Sequence, residues 1–312
     1  MYFKVKNING KKYKYAVRSI RLPDGKVIAL EKIYKNEGEK ELNGFFNEKE
    51  KKARLDYILN KYKSDHIFTK EEFEKVEEIK FNYKNIIKKI SGNALKDILD
   101  RFTANFTYES NALEGNSLTL KDVAMVMFEN ISIKNKDLRE IYETRNSREV
   151  VEGIINNKFS ISHEDIIRMH KMLVRDIGIQ EGYKKFPNVI LGRKMGTAAP
   201  EKVFEKMEKL IIWYKENKER MHPLKLAARF HGMFEQIHPF EDGNGRVGRF
   251  LINVILVNNS YPPLIIRKSQ RLAYLNSLEK FDIKHFDSLE RFILERFKET
   301  YRKFFEIYVK YV

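Results

Sequence analysis

Residues 238–249 read His-Pro-Phe-Glu-Asp-Gly-Asn-Gly-Arg-Val-Gly-Arg. A Gly-Asn-Gly turn that leads into a helix leaves backbone N–H groups pointing outward, with the helix dipole behind them. Such a concavity binds phosphates. Arg246 and Arg249 stand three apart in the first turn and can flank it with bidentate contacts to phosphate oxygens. Asp242 lies just before the turn and is a hard oxygen ligand of the kind that holds Mg²⁺ on a polyphosphate. His238, at the other end of the loop, can accept a proton near neutral pH. A base, a metal ligand, a phosphate cradle and two arginines within one short segment describe a phosphate-transfer site.

The elements around this segment must hold it. The apolar pattern predicts a helix from Pro223 to Gln236 on one side and another over roughly 245–259 on the other. From about 38 onward the pattern is helical, with a charged stretch from Asn47 to Lys63, a helix from the capping box Thr69-Lys-Glu-Glu72 to Ser91, and Ala94 to Tyr108 running on into Glu109–Asn116. Thr119-x-x-Asp122 and Ser162-x-x-Asp165 are further N-terminal caps. Pro200–Lys218, 268–280 and Phe286–Tyr308 complete the helices. Phe186-Pro-Asn-Val-Ile-Leu-Gly-Arg193 reads as a short strand or hairpin. Residues 11–35 read as strand, Leu22-Pro-Asp-Gly-Lys26 turn, strand. No internal repeat is visible. The expected fold is mainly α, with a small β-hairpin flap and a short N-terminal β appendage.

Composition narrows the class. Among 312 residues, 42% are hydrophobic and only 7 are Pro, which excludes disordered and collagen-like chains. No apolar run approaches the ~18 residues that a membrane span needs. The lysine-interrupted start does not read as a signal peptide. With no cysteine there is no disulfide, thiolate zinc site or cysteine nucleophile, and a cytoplasmic enzyme or binding protein is the expectation. The net charge is +16, and residues 1–35 hold ten Lys and Arg against Asp24 and Glu31. That patch suits polyanions, although a lysine-rich solvated surface is the reading that the composition favours.

The segment resembles the signature of the Fic family, His-x-Phe-x-(Asp/Glu)-Gly-Asn-Gly-Arg-x-x-Arg, complete at His238, Phe240, Asp242, Gly243, Asn244, Gly245, Arg246 and Arg249. Ser110-Asn-Ala-Leu-Glu-Gly-Asn116 is similar to the family's inhibitory motif, (Ser/Thr)-x-x-x-Glu-(Gly/Asn), placed before the core as in class II members. Gly182–Gly192 resembles the flap that holds a target's backbone as an added strand, through Val189, Ile190, Leu191 and Gly192. Lys184 departs from the arginine that many members carry there. Tyr261 to Tyr274 resembles the segment closing the nucleotide pocket, and Asp282 lies near the position of an adenine-contacting asparagine in some relatives. The implied organisation is a basic β appendage (1–36), a helical region (37–104), a Fic domain (105–300) with its inhibitory helix (105–116) and flap (183–193), and a terminal helix end (301–312).

The resemblance implies a protein adenylyltransferase that moves AMP from ATP to Ser, Thr or Tyr hydroxyls. His238 would be the base and Asp242 would hold Mg²⁺. Gly243, Asn244, Gly245, Arg246, Arg249, Tyr274 and Asp282 would bind nucleotide. Ser110 and Glu114 would inhibit by pairing Glu114 with Arg249. AMP removal, or transfer of another phosphate-linked group, is the alternative within that fold. A nucleic-acid-binding regulator using the basic N-terminus is the alternative outside it. Partners to consider are ATP, a protein substrate, the chain itself by auto-modification, and a second copy in a homodimer. No membrane partner is expected.

Overall fold

A computed structural model describes residues 1–90, 92–129, 131–189 and 195–312. The chain divides into two compact units, Met1–Phe81 and Asn82–Val312.

The first unit opens with three strands where the sequence pattern predicts two. Besides β2 (Lys11–Arg21) and β3 (Val27–Ile33), Tyr2–Ile8 forms β1, and the order β1-β2-β3 is an antiparallel meander. Lysines within β1 hide its alternation, but Asn9 and Gly10 both take positive φ (49° and 78°), the geometry of a tight hairpin turn. The first helix, α1 (Glu39–Lys61), starts close to residue 38, where the sequence pattern turns helical, ahead of the charged stretch that opens at Asn47. Its early turns supply Leu42 and Phe46, which pack on Ala16 with Leu30, Tyr34 and Phe45 around them. Tertiary burial therefore extends the helix beyond the charged periodic stretch. Arg18 donates to Asn43 and Asn47 across the same contact. Helix α2 (Lys70–Lys89) begins after Thr69, whose Oγ1 accepts from Glu72 N at 3.3 Å.

The second unit is helical among the described residues. It contains α3 (Gly92–Leu113), α4 (Leu120–Phe128), α5 (Leu138–Ile155), α6 (His163–Val174), α7 (Pro200–Asn217), α8 (Pro223–Ile237), α9 (Asn244–Asn258), α10 (Arg271–Asp282) and α11 (Asp287–Phe304). Short 3-10 turns precede α10 and follow α11, where the sequence pattern predicts unbroken helix. The N-caps at Thr119 and Ser162 are formed as predicted, Thr119 in a full capping box with Asp122. Helices α8 and α9 form the centre. Eleven residues of α8 and twelve of α9 are buried, because apolar side chains run around nearly the whole circumference of each. They pack on each other and on a shell of α3, α5, α6, α7, α10 and α11. A Cβ at Gly232 would come within 2.6 Å of the Phe281 ring, so the glycine lets α10 approach α8 closely.

Of the predicted strand or hairpin at 186–193, residues 190–193 lie outside the described residues. Residues 183–189 and 195–199 hold only one isolated bridge, between Tyr183 and Phe240. Among the described residues, no helix is long and apolar enough to cross a membrane.

Candidate active site

The 238–249 segment starts in the loop between α8 and α9, which holds His238, Phe240, Asp242 and Gly243, and runs into the first turns of α9, which hold Asn244, Gly245, Arg246 and Arg249. At its start, His238 turns the chain in the left-handed conformation (φ 51°), while its N–H still donates to Phe234 O at 2.9 Å. The loop is then clamped on several sides. Asn244 closes it on itself: Phe240 N donates to its Oδ1 and its Nδ2 donates to Phe240 O, both at 2.8 Å. Asn244 is thus a structural staple here as well as a residue of the predicted nucleotide loop. Phe240 is fully buried and stacks on His170, with 3.9 Å between ring centroids and planes 3° apart.

His170 is a residue that sequence reasoning missed. Its Nδ1 accepts from Gly182 N at 3.3 Å, so its Nε2 carries the proton and donates to Asp242 O at 3.1 Å. Burial lowers its pKa to about 4, which keeps the ring neutral and fixes these roles. The sequence offers only the 72-residue separation of His170 from Asp242, which marks no pairing. On the same side, Lys184 N donates to Pro239 O at 2.9 Å. The buried Lys184 ammonium donates to Asn188 Oδ1 (2.6 Å) and Thr197 Oγ1 (2.9 Å), and Asn188 donates to Phe240 O at 2.8 Å. The lysine that departs from the family pattern therefore pins the base of the 183–197 segment to the loop. Burial lowers its pKa to about 8. Of the residues expected to hold a target backbone, Val189 is exposed, whereas Ile190, Leu191 and Gly192 lie outside the described residues.

At the other end, Gly243 takes φ 79° and α9 begins with no side chain capping it. The first N–H groups of a helix have no intrahelical partner, so this end presents unsatisfied donors. Arg246 lies beside them, 2% exposed, 3.3 Å from Glu143 Oε1 and 4.0 Å from Asp242 Oδ2. Its Nε and Nη1 are buried and make no hydrogen bond. A buried guanidinium with an unused Nε donor, paired only loosely through Nη1, has capacity for a further anionic acceptor.

Arg249, one turn further, is fully engaged. Its Nε donates to Ser110 Oγ (3.1 Å), and its Nη2 donates to Ser110 O (2.8 Å) and Glu114 Oε1 (2.7 Å). The two motifs that are 135 residues apart in sequence thus meet. Burial opposes the arginine's charge, but Glu114 beside it keeps its pKa raised. Gly245 makes room for this contact: a Cβ there would overlap the Glu114 carboxylate and lie 2.9 Å from Arg249 Nη1. The end of α3 is held in place by Arg271 Nε, which donates to Leu113 O, and by Glu109, which accepts from Lys268 N at 2.7 Å.

Asp242 is half exposed. Its Oδ2 accepts from Arg139 Nη2 at 2.6 Å and its Oδ1 from Gly243 N at 2.5 Å. Magnesium carried on a polyphosphate takes one or two carboxylates, with phosphate oxygens and water filling the rest of its shell. Among the described residues, no group of three or more His, Cys, Asp or Glu could cage a metal. The accessible Asp242 carboxylate beside the uncapped end of α9 fits an ion that arrives with a nucleotide, once Arg139 moves aside. Tyr274 is buried behind Arg249 and its hydroxyl bonds His231 Nε2 at 2.7 Å. Asp282 accepts from Gln236 Nε2 at 3.2 Å.

Fold and loop together define a helical domain whose central pair, α8 and α9, is joined by a loop that ends at an uncapped helix N-terminus. Residues 160–256 match the model of the Fic/DOC family. It is similar to a protein adenylyltransferase Fic of Nematostella vectensis, 31% identical over 187 residues, 57% of this chain and 44% of that one. A protein adenylyltransferase Fic of Drosophila virilis is 28% identical over 62% of this chain and 41% of its own. The chain thus spans less than half the length of these relatives. Among solved structures, a Fic domain containing signaling protein from Bacteroides thetaiotaomicron aligns with a TM-score of 0.67 at 25% identity, covering 73% of this chain and 94% of that one.

Proposed function

We propose that this chain is a protein adenylyltransferase that moves AMP from ATP to a Ser, Thr or Tyr hydroxyl of a protein, and that Glu114 holds it inhibited. The observation that carries the reading is the α8–α9 loop. It places a histidine at one end and, at the other, an uncapped helix N-terminus with the buried, underused Arg246. The names of the relatives support the same reaction.

The chain's residues divide the work. His238 Nε2 takes the proton of the incoming hydroxyl, whose oxygen forms a bond to the α-phosphorus. The bond from that phosphorus to the α,β-bridging oxygen breaks, and pyrophosphate leaves with the electron pair. The N–H groups of the first turn of α9 and the Arg246 guanidinium bind phosphate oxygens where negative charge is redistributed. Asp242 would hold Mg²⁺, which neutralises phosphate charge when bound. Phe240, Asn244, His170 and Lys184 keep the loop rigid, so that base and cradle stay in register.

Arg249 is the remaining phosphate ligand, and Glu114 with Ser110 occupies it. An arginine so engaged cannot also bind a γ-phosphate, so ATP sits with its α-phosphate misaligned. Residues 105–300 are proposed as the catalytic domain, with 1–36 a basic β appendage, 37–104 a helical region and 301–312 a terminal extension, acting in the cytoplasm. Incubating the Glu114→Gly protein with α- or γ-labelled ATP tests the reaction. Label from the α position on protein supports AMP transfer, whereas label from the γ position alone replaces this reading with phosphorylation.

A further inference from the structure

Glu235 has no part in the scheme above, yet its position is unusual. It sits on α8 three residues before His238 and is 4% exposed. One carboxylate oxygen, Oε2, lies 3.8 Å from His238 Nδ1, and Oε1 lies 4.0 Å from His231 Nδ1. Gly248 of α9 faces it, and a Cβ at that glycine would overlap Oε1, so the space is reserved for the carboxylate. His231 is in turn fixed through its Nε2 by the Tyr274 hydroxyl at 2.7 Å, with the two rings stacked. The charged and titratable groups about Glu235 are therefore His231 and His238 from its own end of the site, Arg249 from α9 and Tyr274 from α10. Burial by itself would raise the Glu235 pKa, but His238, His231 and Arg249 hold it well below the ordinary carboxylate range.

Two observations turn this placement into a role. His238 Nδ1 is buried and makes no hydrogen bond, so the carboxylate is the acceptor it faces. A buried carboxylate costs several kcal/mol in desolvation, a cost that neither a glutamine nor a leucine of similar volume would carry. Catalytic hydrogen bonds are often long before substrate binds and tighten afterwards.

We propose that Glu235 is the positioning residue of the base: its carboxylate keeps the His238 proton on Nδ1, leaves the Nε2 lone pair facing the substrate, and steadies the imidazolium formed during transfer. The logic is that of an acid that orients a histidine without itself being protonated. This inference rests on the proposed role of His238, and its test separates the two.

The experiment reads both the ring and the rate. Long-range ¹H–¹⁵N spectra of histidine-labelled protein, with the His238 signals assigned by their loss in His238→Ala, report the tautomer. The wild type should show the Nδ1–H pattern, Glu235→Gln a mixture of tautomers, and Glu235→Asp the wild-type pattern. In the Glu114→Gly background, Glu235→Gln should lower kcat about tenfold or more while KM for ATP stays within twofold. If Glu235→Gln retains the Nδ1–H pattern, if its kcat stays within twofold, or if KM rises as far as kcat falls, the inference is wrong. Should that variant fail to fold, Gly248→Ala displaces the carboxylate instead. It should give the mixed tautomer, and an unchanged pattern there overturns the inference too. Glu114→Gly protein that transfers no AMP would sink the proposed reaction, while the spectra would still decide the role of Glu235.

Discussion

Arg246 and Arg249 belong to one turn and a half of the same helix, both are almost wholly buried, and they live in opposite circumstances. Arg249 donates to Ser110 and Glu114 through three hydrogen bonds. Arg246 faces Glu143 through Nη1 at 3.3 Å without hydrogen-bond geometry, and its Nε donates to nothing. Leaving buried donors idle costs about 1–3 kcal/mol each, and a chain selected only for stability would satisfy or remove them. The contrast divides the site into a half already filled by the chain's own carboxylate and a half left ready for an anion.

The severest way to break this picture is to remove the base and keep both halves. In the Glu114→Gly background, His238→Ala should lower AMP transfer by at least ~10²-fold while ATP still binds in calorimetry. Transfer at the parental rate would show that neither half serves the chemistry assigned here. The next test separates the arginines. Arg246→Leu should weaken ATP binding by about 10- to 100-fold, the worth of one or two charge-assisted hydrogen bonds, and leave unfolding in urea within ~1 kcal/mol of the parent. Arg249→Leu should do the reverse in the wild-type background. It strands Ser110 and Glu114, so it should destabilise by ~1–3 kcal/mol and change ATP affinity less. Equal losses of stability in the two variants would erase the distinction.

A smaller effect concerns the clamp under the loop. Lys184 has its pKa lowered to about 8 by burial, whereas a lysine of the unfolded chain stays protonated up to its ordinary value of 10.5. Between those values the unfolded state binds more protons, so this residue's contribution to stability should rise as pH increases from about 8 to 10.5. The difference in Tm between wild type and Lys184→Met should therefore shift in favour of wild type over that interval. A difference that is flat with pH would show that the ammonium is not burdened by its burial.

Much of this was legible in the chain. The Gly-Asn-Gly turn, the flanking apolar helices and the caps at Thr119 and Ser162 are local signals, and local signals survive folding. The meeting of Glu114 with Arg249 was legible only through resemblance, because nothing local brings residues so distant together. What stayed hidden is long-range and polar. The His170 stack on Phe240, the Lys184–Asn188–Thr197 clamp and the Arg139–Asp242 pair each join separate elements through single side chains. Strand β1 was hidden for a different reason: its lysines pair with Glu31 on β3 across the meander, so charge replaces the apolar alternation that normally marks a strand.

The central claim is that Glu114 silences an otherwise assembled site by filling its Arg249 half. Quantitative mass spectrometry of AMP on the chain itself, after incubation with ATP, compares wild type, Glu114→Gly and Glu114→Gly/His238→Ala directly. Each tenfold gain requires only ~1.4 kcal/mol of altered competition at Arg249. The account predicts at least a tenfold rise in modified Tyr, Ser or Thr for Glu114→Gly, and loss of that rise in the double variant. Equal modification of wild type and Glu114→Gly, with both active, would contradict it.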